Sequence, residues 1–129
     1  MKYLLDTQVV IWALESNPKL PEALKLTIND PAHDVFITIV SLWEIAIKRS
    51  IGKLELNYDL EDIQSQITYR QVKTLPITTK HLVAVESLEF VDKHRDPFDR
   101  LIISQAIVED LTLISSDPQF KNYPVKLLW

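Results

Sequence analysis

Short apolar runs that each stop at a polar or acidic residue, separated by helix-like stretches, constrain this chain more than any other feature. Residues 2–5, 35–37, 72–76, 112–115 and 125–128 read as strands. Residues 7–15, 21–29, 41–50, 59 or 60 to 69, 78–87 and 97–110 read as helices. In the first helix Val9, Val10, Ala13 and Leu14 face inward. Pro21 suits a first turn, Thr78 suits a cap, and Gly52 suits the residue just past a helix end. Strands alternating with helices predict an α/β fold with a parallel sheet covered on both faces. The least regular part is a pair of helices between the second and third strands.

In an open sheet of this kind, the carboxyl ends of the strands and the amino ends of the following helices share one edge. Four acids stand at such places: Asp6 after Tyr3-Leu4-Leu5, Glu44 in Ser41-Leu42-Trp43-Glu44, Asp99 with Asp96 nearby in Asp96-Pro97-Phe98-Asp99, and Asp117 after Leu113-Ile114-Ser115-Ser116. Clustered carboxylates do not all stay ionised without a counter-charge. A hard divalent cation with oxygen ligands is the usual one. The pattern therefore points to metal-dependent chemistry on phosphates.

Each acid also has an ordinary structural reading. Asp6 suits an N-cap. Ser41 and Glu44 have capping-box spacing, and Glu44 stands four before Lys48, a favourable helical ion pair. Asp96, Pro97 and Asp99 fit N-cap, N1 and N3. Asp117 before Pro118 is a common turn residue, and Ser116 fits either a turn cap or the holder of a water on a metal. Their joint placement on one predicted edge is the argument for function. Among the basic residues, Lys48, Arg49, Lys53, Lys93, His94, Arg95 and Arg100 lie near these motifs and suit phosphate contacts, arginine in particular. Trp12, Trp43 and Trp129 read as core or interface residues.

Composition removes several function classes. Cysteine is absent, which excludes thiolate nucleophiles, disulfides and zinc–thiolate sites. His33, His81 and His94 form no H-x-x-x-H pair, so zinc is disfavoured. With a single glycine, Gly52, no glycine-rich phosphate loop is possible. The net charge of −4 argues against a general nucleic-acid coat protein and leaves any basic surface local. Apolar stretches are broken well short of the ~18 residues of a membrane span. No secretory leader is visible after Met1-Lys2, so the expected location is cytoplasmic. At 129 residues the expectation is one domain over residues 1–129.

Leu4-Leu5-Asp6-Thr7, Ser41-Leu42-Trp43-Glu44-Ile45, the run from His94 to Ile102, and Ser115-Ser116-Asp117 together resemble a PIN domain, most nearly the VapC-type toxins of toxin–antitoxin pairs. The resemblance spans essentially the whole chain. It implies a three-layer α/β/α fold and a Mg²⁺-dependent endoribonuclease, with Mn²⁺ as a substitute. It also implies restraint by a cognate antitoxin whose C-terminal segment blocks the acidic pocket, frequent homodimers, and operator binding through the antitoxin. By motif, Asp6, Glu44, Asp99 and Asp117 match the four catalytic and metal-binding acids. Asp96 is an additional or alternative third ligand. Thr7 and Ser116 match polar neighbours of the first and fourth acids, and with Arg95 and Arg100 they are the expected substrate contacts.

Rival readings fit less well. A response-regulator phosphoacceptor needs paired acids after the first strand and a lysine after the last; Asp6 stands alone and Lys126 lies within the terminal strand. A haloacid-dehalogenase-like phosphatase needs a second acid two residues after Asp6, where Gln8 stands. A non-catalytic module whose pocket only receives a basic partner segment remains open.

Overall fold

The computed structural model describes residues Met1–Trp129. Its sheet has five strands: β1 (Lys2–Leu5), β2 (Asp34–Thr38), β3 (Lys73–Leu75), β4 (Thr112–Ile114) and β5 (Leu127–Leu128). All pairings are parallel, in the order β3-β2-β1-β4-β5. The chain builds outward from β1 in one direction and then returns to its other side. The β1–β4 boundary is thus the switch point at which α/β sheets open a crevice.

Alternation along the strands sorts the core into two layers. Tyr3, Leu5, Val35, Ile37 and Ile114 face one way, against α1 (Thr7–Glu15), α2 (Glu22–Asn29), α3 (Ile39–Ser50) and α4 (Leu60–Tyr69). Leu4 and Leu113 face the other way, against α6 (Pro97–Val108), Phe120 and Tyr123, with α5 (Thr79–Ser87) packed on α6. The result is the expected α/β/α arrangement. Both α3 and α4 lie between β2 and β3, as anticipated. Ile11 joins Val9 and Val10 in the core, while Ala13 and Leu14 are only partly buried.

Helix ends show where local sequence was misleading. The third helix begins at Ile39, not at Ser41. Thr38 is its N-cap and accepts from the Val40 backbone N–H at 3.1 Å. Ser41 is the third residue of the helix, so the Ser41–Glu44 capping box does not form. Pro21 takes the N-cap position before α2 instead of its first turn. The helix after Asp96 stops at Val108, and a short 3₁₀ turn, Pro118–Asn122, follows Asp117. Gly52 does follow α3, at φ +72°. The bonds Gly52 N–H to Arg49 C=O (3.1 Å) and Lys53 N–H to Lys48 C=O (2.8 Å) complete a Schellman ending there. Of the tryptophans, Trp12 packs on the core and lies 5.9 Å from Trp129. Trp43 is half exposed and stands edge-on to Phe98 at 4.8 Å.

Candidate active site

Strand register carries the first acid to its partner. Leu4 pairs with Leu113 and Leu5 with Ile114, so the next residues, Asp6 and Ser115, stand side by side past the strand ends. The Ser115 hydroxyl donates to Asp6 Oδ2 at 2.8 Å and accepts from the Asp117 backbone N–H at 3.1 Å. One serine thus ties the acid after β1 to the acid after β4. Asp6 occupies the N-cap position of α1, yet its side chain makes no capping bond. Asp117 caps the 3₁₀ turn, accepting from Gln119 N–H at 2.9 Å.

Glu44 arrives on α3. That helix is fixed to the start of α1 by a buried hydroxyl pair, Thr7 Oγ1 to Ser41 Oγ at 2.8 Å. Glu44 Oε2 pairs with Lys48 Nζ at 2.7 Å, as the four-residue spacing predicts. Its other oxygen, Oε1, is buried without a hydrogen-bond partner. Asp99 stands in the first turn of α6, below an Asp96 that caps the helix through Phe98 N–H (2.9 Å) and Asp99 N–H (3.1 Å). Asp99 Oδ2 accepts from His94 Nε2 at 2.9 Å.

The charges interact. Burial pushes the Asp6 carboxyl up to about 6, and Glu44 and Asp117 push it the same way, against the Ser115 hydrogen bond. Burial pushes Asp99 up to about 7; the His94 hydrogen bond opposes, and the Asp96 and Asp6 charges add. Burial works to lower the Lys48 ammonium, but the hydrogen bond and charge of Glu44 outweigh it and hold it above its ordinary value. Asp6, Glu44, Asp96, Asp99 and Asp117 therefore share one electrostatic neighbourhood, with Lys48 as a cation inside it.

The residues lining an open cavity of about 1080 Å³ include the acids Asp96, Asp99 and Asp117, the bases Lys93 and Arg95, and Gln119 and Asn122. Asp6 and Glu44 are buried. With each carboxylate turned toward a donor of the protein, no three acids converge closely enough to hold one ion between them. The residues nonetheless fit a hard divalent cation. The donors are all oxygens, one buried carboxylate oxygen is unpartnered, and burial, with neighbouring acids adding, drives two aspartates toward protonation.

Two expected substrate contacts, Arg100 and Thr7, are corrected. Arg100 is buried; its guanidinium donates to the carbonyls of Leu88 (2.7 Å), Glu89 (3.3 Å) and Val85 (3.4 Å) and lies 4.0 Å from the Phe90 ring centre. It braces α6 against the end of α5. Thr7 is buried with its hydroxyl on Ser41, so it joins helices instead of facing solvent. Ser116 is exposed, which is compatible with its expected substrate contact; the hydroxyl between the acids belongs to Ser115. Arg95 stays at the cavity rim, donating to the Asp92 carbonyl at 2.8 Å and stacked 4.3 Å over Phe90.

Two residues escaped the sequence reading. Ser115 was legible only through register, two places beyond Leu113 on the same strand face. His94, grouped with the basic residues, is instead a nearly buried partner of Asp99, with no local pattern to mark it.

Comparison with known proteins agrees with this architecture. No curated protein matches the chain by sequence. Solved structures match along nearly its full length. VapBC2 from Rickettsia felis bound to a promoter DNA fragment has TM-score 0.69 and 22% identity, covering 99% of this chain and 98% of that one. VapBC-1 from nontypeable Haemophilus influenzae has TM-score 0.67 and 17% identity, covering 99% and 97%. VapBC-5 from Mycobacterium tuberculosis has TM-score 0.57 and 22% identity, covering 98% and 97%. These likenesses establish a shared fold. A family model described as PIN domain matches residues 3–126. From Tyr3 to Lys126, with its parallel sheet and helices on both faces, the chain belongs to the PIN-domain family.

Proposed function

We propose that this protein is a VapC-type toxin, a Mg²⁺-dependent endoribonuclease that Mn²⁺ also supports. The observation that carries the reading is the common electrostatic neighbourhood of Asp6, Glu44, Asp99 and Asp117 at the sheet's switch point, with one buried Glu44 oxygen unpartnered. Asp6, Glu44, Asp99 and Asp117 would hold the cation, with Asp96 beside them. When bound, Mg²⁺ would add positive charge among the acids, neutralise the scissile phosphate and lower the pKa of the attacking water.

The chain's own residues do the rest. Ser115 orients Asp6, and Lys48 steadies Glu44 through Oε2 while leaving Oε1 free. Lys93 and Arg95 line the cavity and suit flanking phosphates of an RNA strand. No side chain is placed as a nucleophile. The His94 nitrogens are committed to Asp99 and Tyr123, and the Ser115 hydroxyl to Asp6. Water oxygen bonds to phosphorus in line, the P–O3′ bond breaks, and a proton passes to O3′, leaving a 3′-hydroxyl and a 5′-phosphate. A cognate antitoxin that covers the acidic cavity completes the reading, supported by the likeness to VapBC structures; a homodimeric state is part of the same proposal.

Asp6→Asn and Asp99→Asn each abolish Mg²⁺-dependent cleavage of RNA while circular dichroism shows an unchanged fold. Full cleavage by either variant contradicts the scheme. One observation favours a second reading, a non-catalytic module: every acid already has a partner within the chain. Under that reading, purified protein produces no metal-dependent RNA ends at all.

A further inference from the structure

His94 is the most constrained residue of the 88–96 segment. Its side chain is nearly buried, at 8% exposure, in a segment otherwise largely exposed. It is clamped from both sides. Nδ1 lies 2.7 Å from the Tyr123 hydroxyl, and Nε2 lies 2.9 Å from Asp99 Oδ2. Its ring also stands edge-on to Tyr123 at 5.6 Å and beside Phe120 at 6.4 Å. Both aromatic residues are buried, and they belong to the stretch that follows Asp117.

The hydrogen-bond inventory sets the tautomer. In its ionised form, the one that binds a cation, the Asp99 carboxylate only accepts, so Nε2 then carries the proton and donates. A neutral ring then offers Nδ1 as an acceptor, and the Tyr123 hydroxyl donates to it. The sequence Tyr123–His94–Asp99 is thus a directed chain of donors. It occupies Oδ2 of Asp99 and leaves Oδ1 for another partner. Outer hydrogen-bond partners of ligating carboxylates orient them in this way, and their loss typically weakens metal affinity by ~10–100-fold.

Resting on the reading of Asp99 as a cation ligand, we infer that His94 is a positioning residue. Anchored by Tyr123, it holds the Asp99 carboxylate in the orientation that binds the divalent cation. A purely structural role, filling space beside Phe120 and Tyr123, makes a different prediction for the same variants.

The test is isothermal titration of the purified full chain with Mg²⁺. Asp99→Asn, His94→Leu, His94→Gln and Tyr123→Phe are compared with the natural protein, and thermal melts are recorded alongside. Asp99→Asn is expected to lose binding. His94→Leu is expected to weaken it by ~10–100-fold. His94→Gln, whose amide nitrogen can stand where Nε2 does, retains most of the affinity. Tyr123→Phe keeps the ring packing, removes only the hydroxyl, and weakens binding several-fold. Should His94→Leu fail to fold, the Tyr123→Phe and His94→Gln pair decides. Unchanged affinity in His94→Leu or Tyr123→Phe, with Asp99→Asn defective, overturns the positioning role and leaves the metal reading standing. Unchanged affinity in Asp99→Asn overturns both.

Discussion

Ser115 shows how much one small side chain does at this edge. Its hydroxyl is both donor to Asp6 and acceptor from the Asp117 backbone, in a buried place. Ser115→Ala removes a bond that favours the charged form of Asp6 and strands a backbone N–H. Its expected cost is about 1–3 kcal/mol, read as a lower urea midpoint. The Asp6 carboxyl also titrates at higher pH than in the natural chain, visible by carbon NMR. An unchanged midpoint and an unchanged Asp6 titration contradict the assignment. Asp6 and Asp99 make a second residue-scale prediction. Their folded-state values, about 6 and about 7, exceed the ordinary 3.8. Between those limits the folded chain holds protons that the unfolded chain has released, so stability falls as pH rises. Without metal the penalty is absent below about pH 4 and complete above about pH 7, on the order of 3 kcal/mol from Asp6 alone. Saturating Mg²⁺ removes it. The Mg²⁺-induced rise in Tm is therefore larger at pH 8 than at pH 5. Equal rises at both pH values contradict this.

Elements were legible where periodicity was strong and misread where a long-range contact decided. The apolar runs of β1, β2 and β4 and the helices between them follow directly from pattern. The start of α3 did not, because Ser41 and Glu44 have the spacing of a cap while the true cap, Thr38, closes an apolar strand. The Ser41 hydroxyl is taken by Thr7, thirty-four residues earlier, and no window of sequence contains that pairing. Arg100 was misread for a similar reason. An arginine next to a catalytic motif suits phosphate, but the carbonyls at the end of α5 claim its guanidinium. Arg100→Lys loses the planar fork that serves several acceptors at once. The expected outcome is a loss of about 1–3 kcal/mol in stability, with KM for RNA unchanged in the folded protein. A raised KM with full stability restores Arg100 to the substrate surface.

At the scale of the molecule, strand order is what gathers the chemistry. Asp6 and Asp117 follow adjacent strands, β1 and β4, on either side of the switch point, although Asp117 comes 111 positions after Asp6. Parallel pairing sends every strand's carboxyl end to one edge, and α3 and α6 deliver Glu44 and Asp99 there. This part was readable from alternation alone. The orientation of each carboxylate was not, because Ser115, Lys48, His94 and the 3₁₀ turn each redirect one of them. The central claim is that these separate acids serve one divalent-cation site. Electron paramagnetic resonance of free Mn²⁺, titrated against the natural chain and against Asp6→Asn, Glu44→Gln, Asp99→Asn and Asp117→Asn, tests it most directly. The account predicts that every one of these variants binds at least about tenfold more weakly, and the same Mn²⁺ affinity throughout would contradict it.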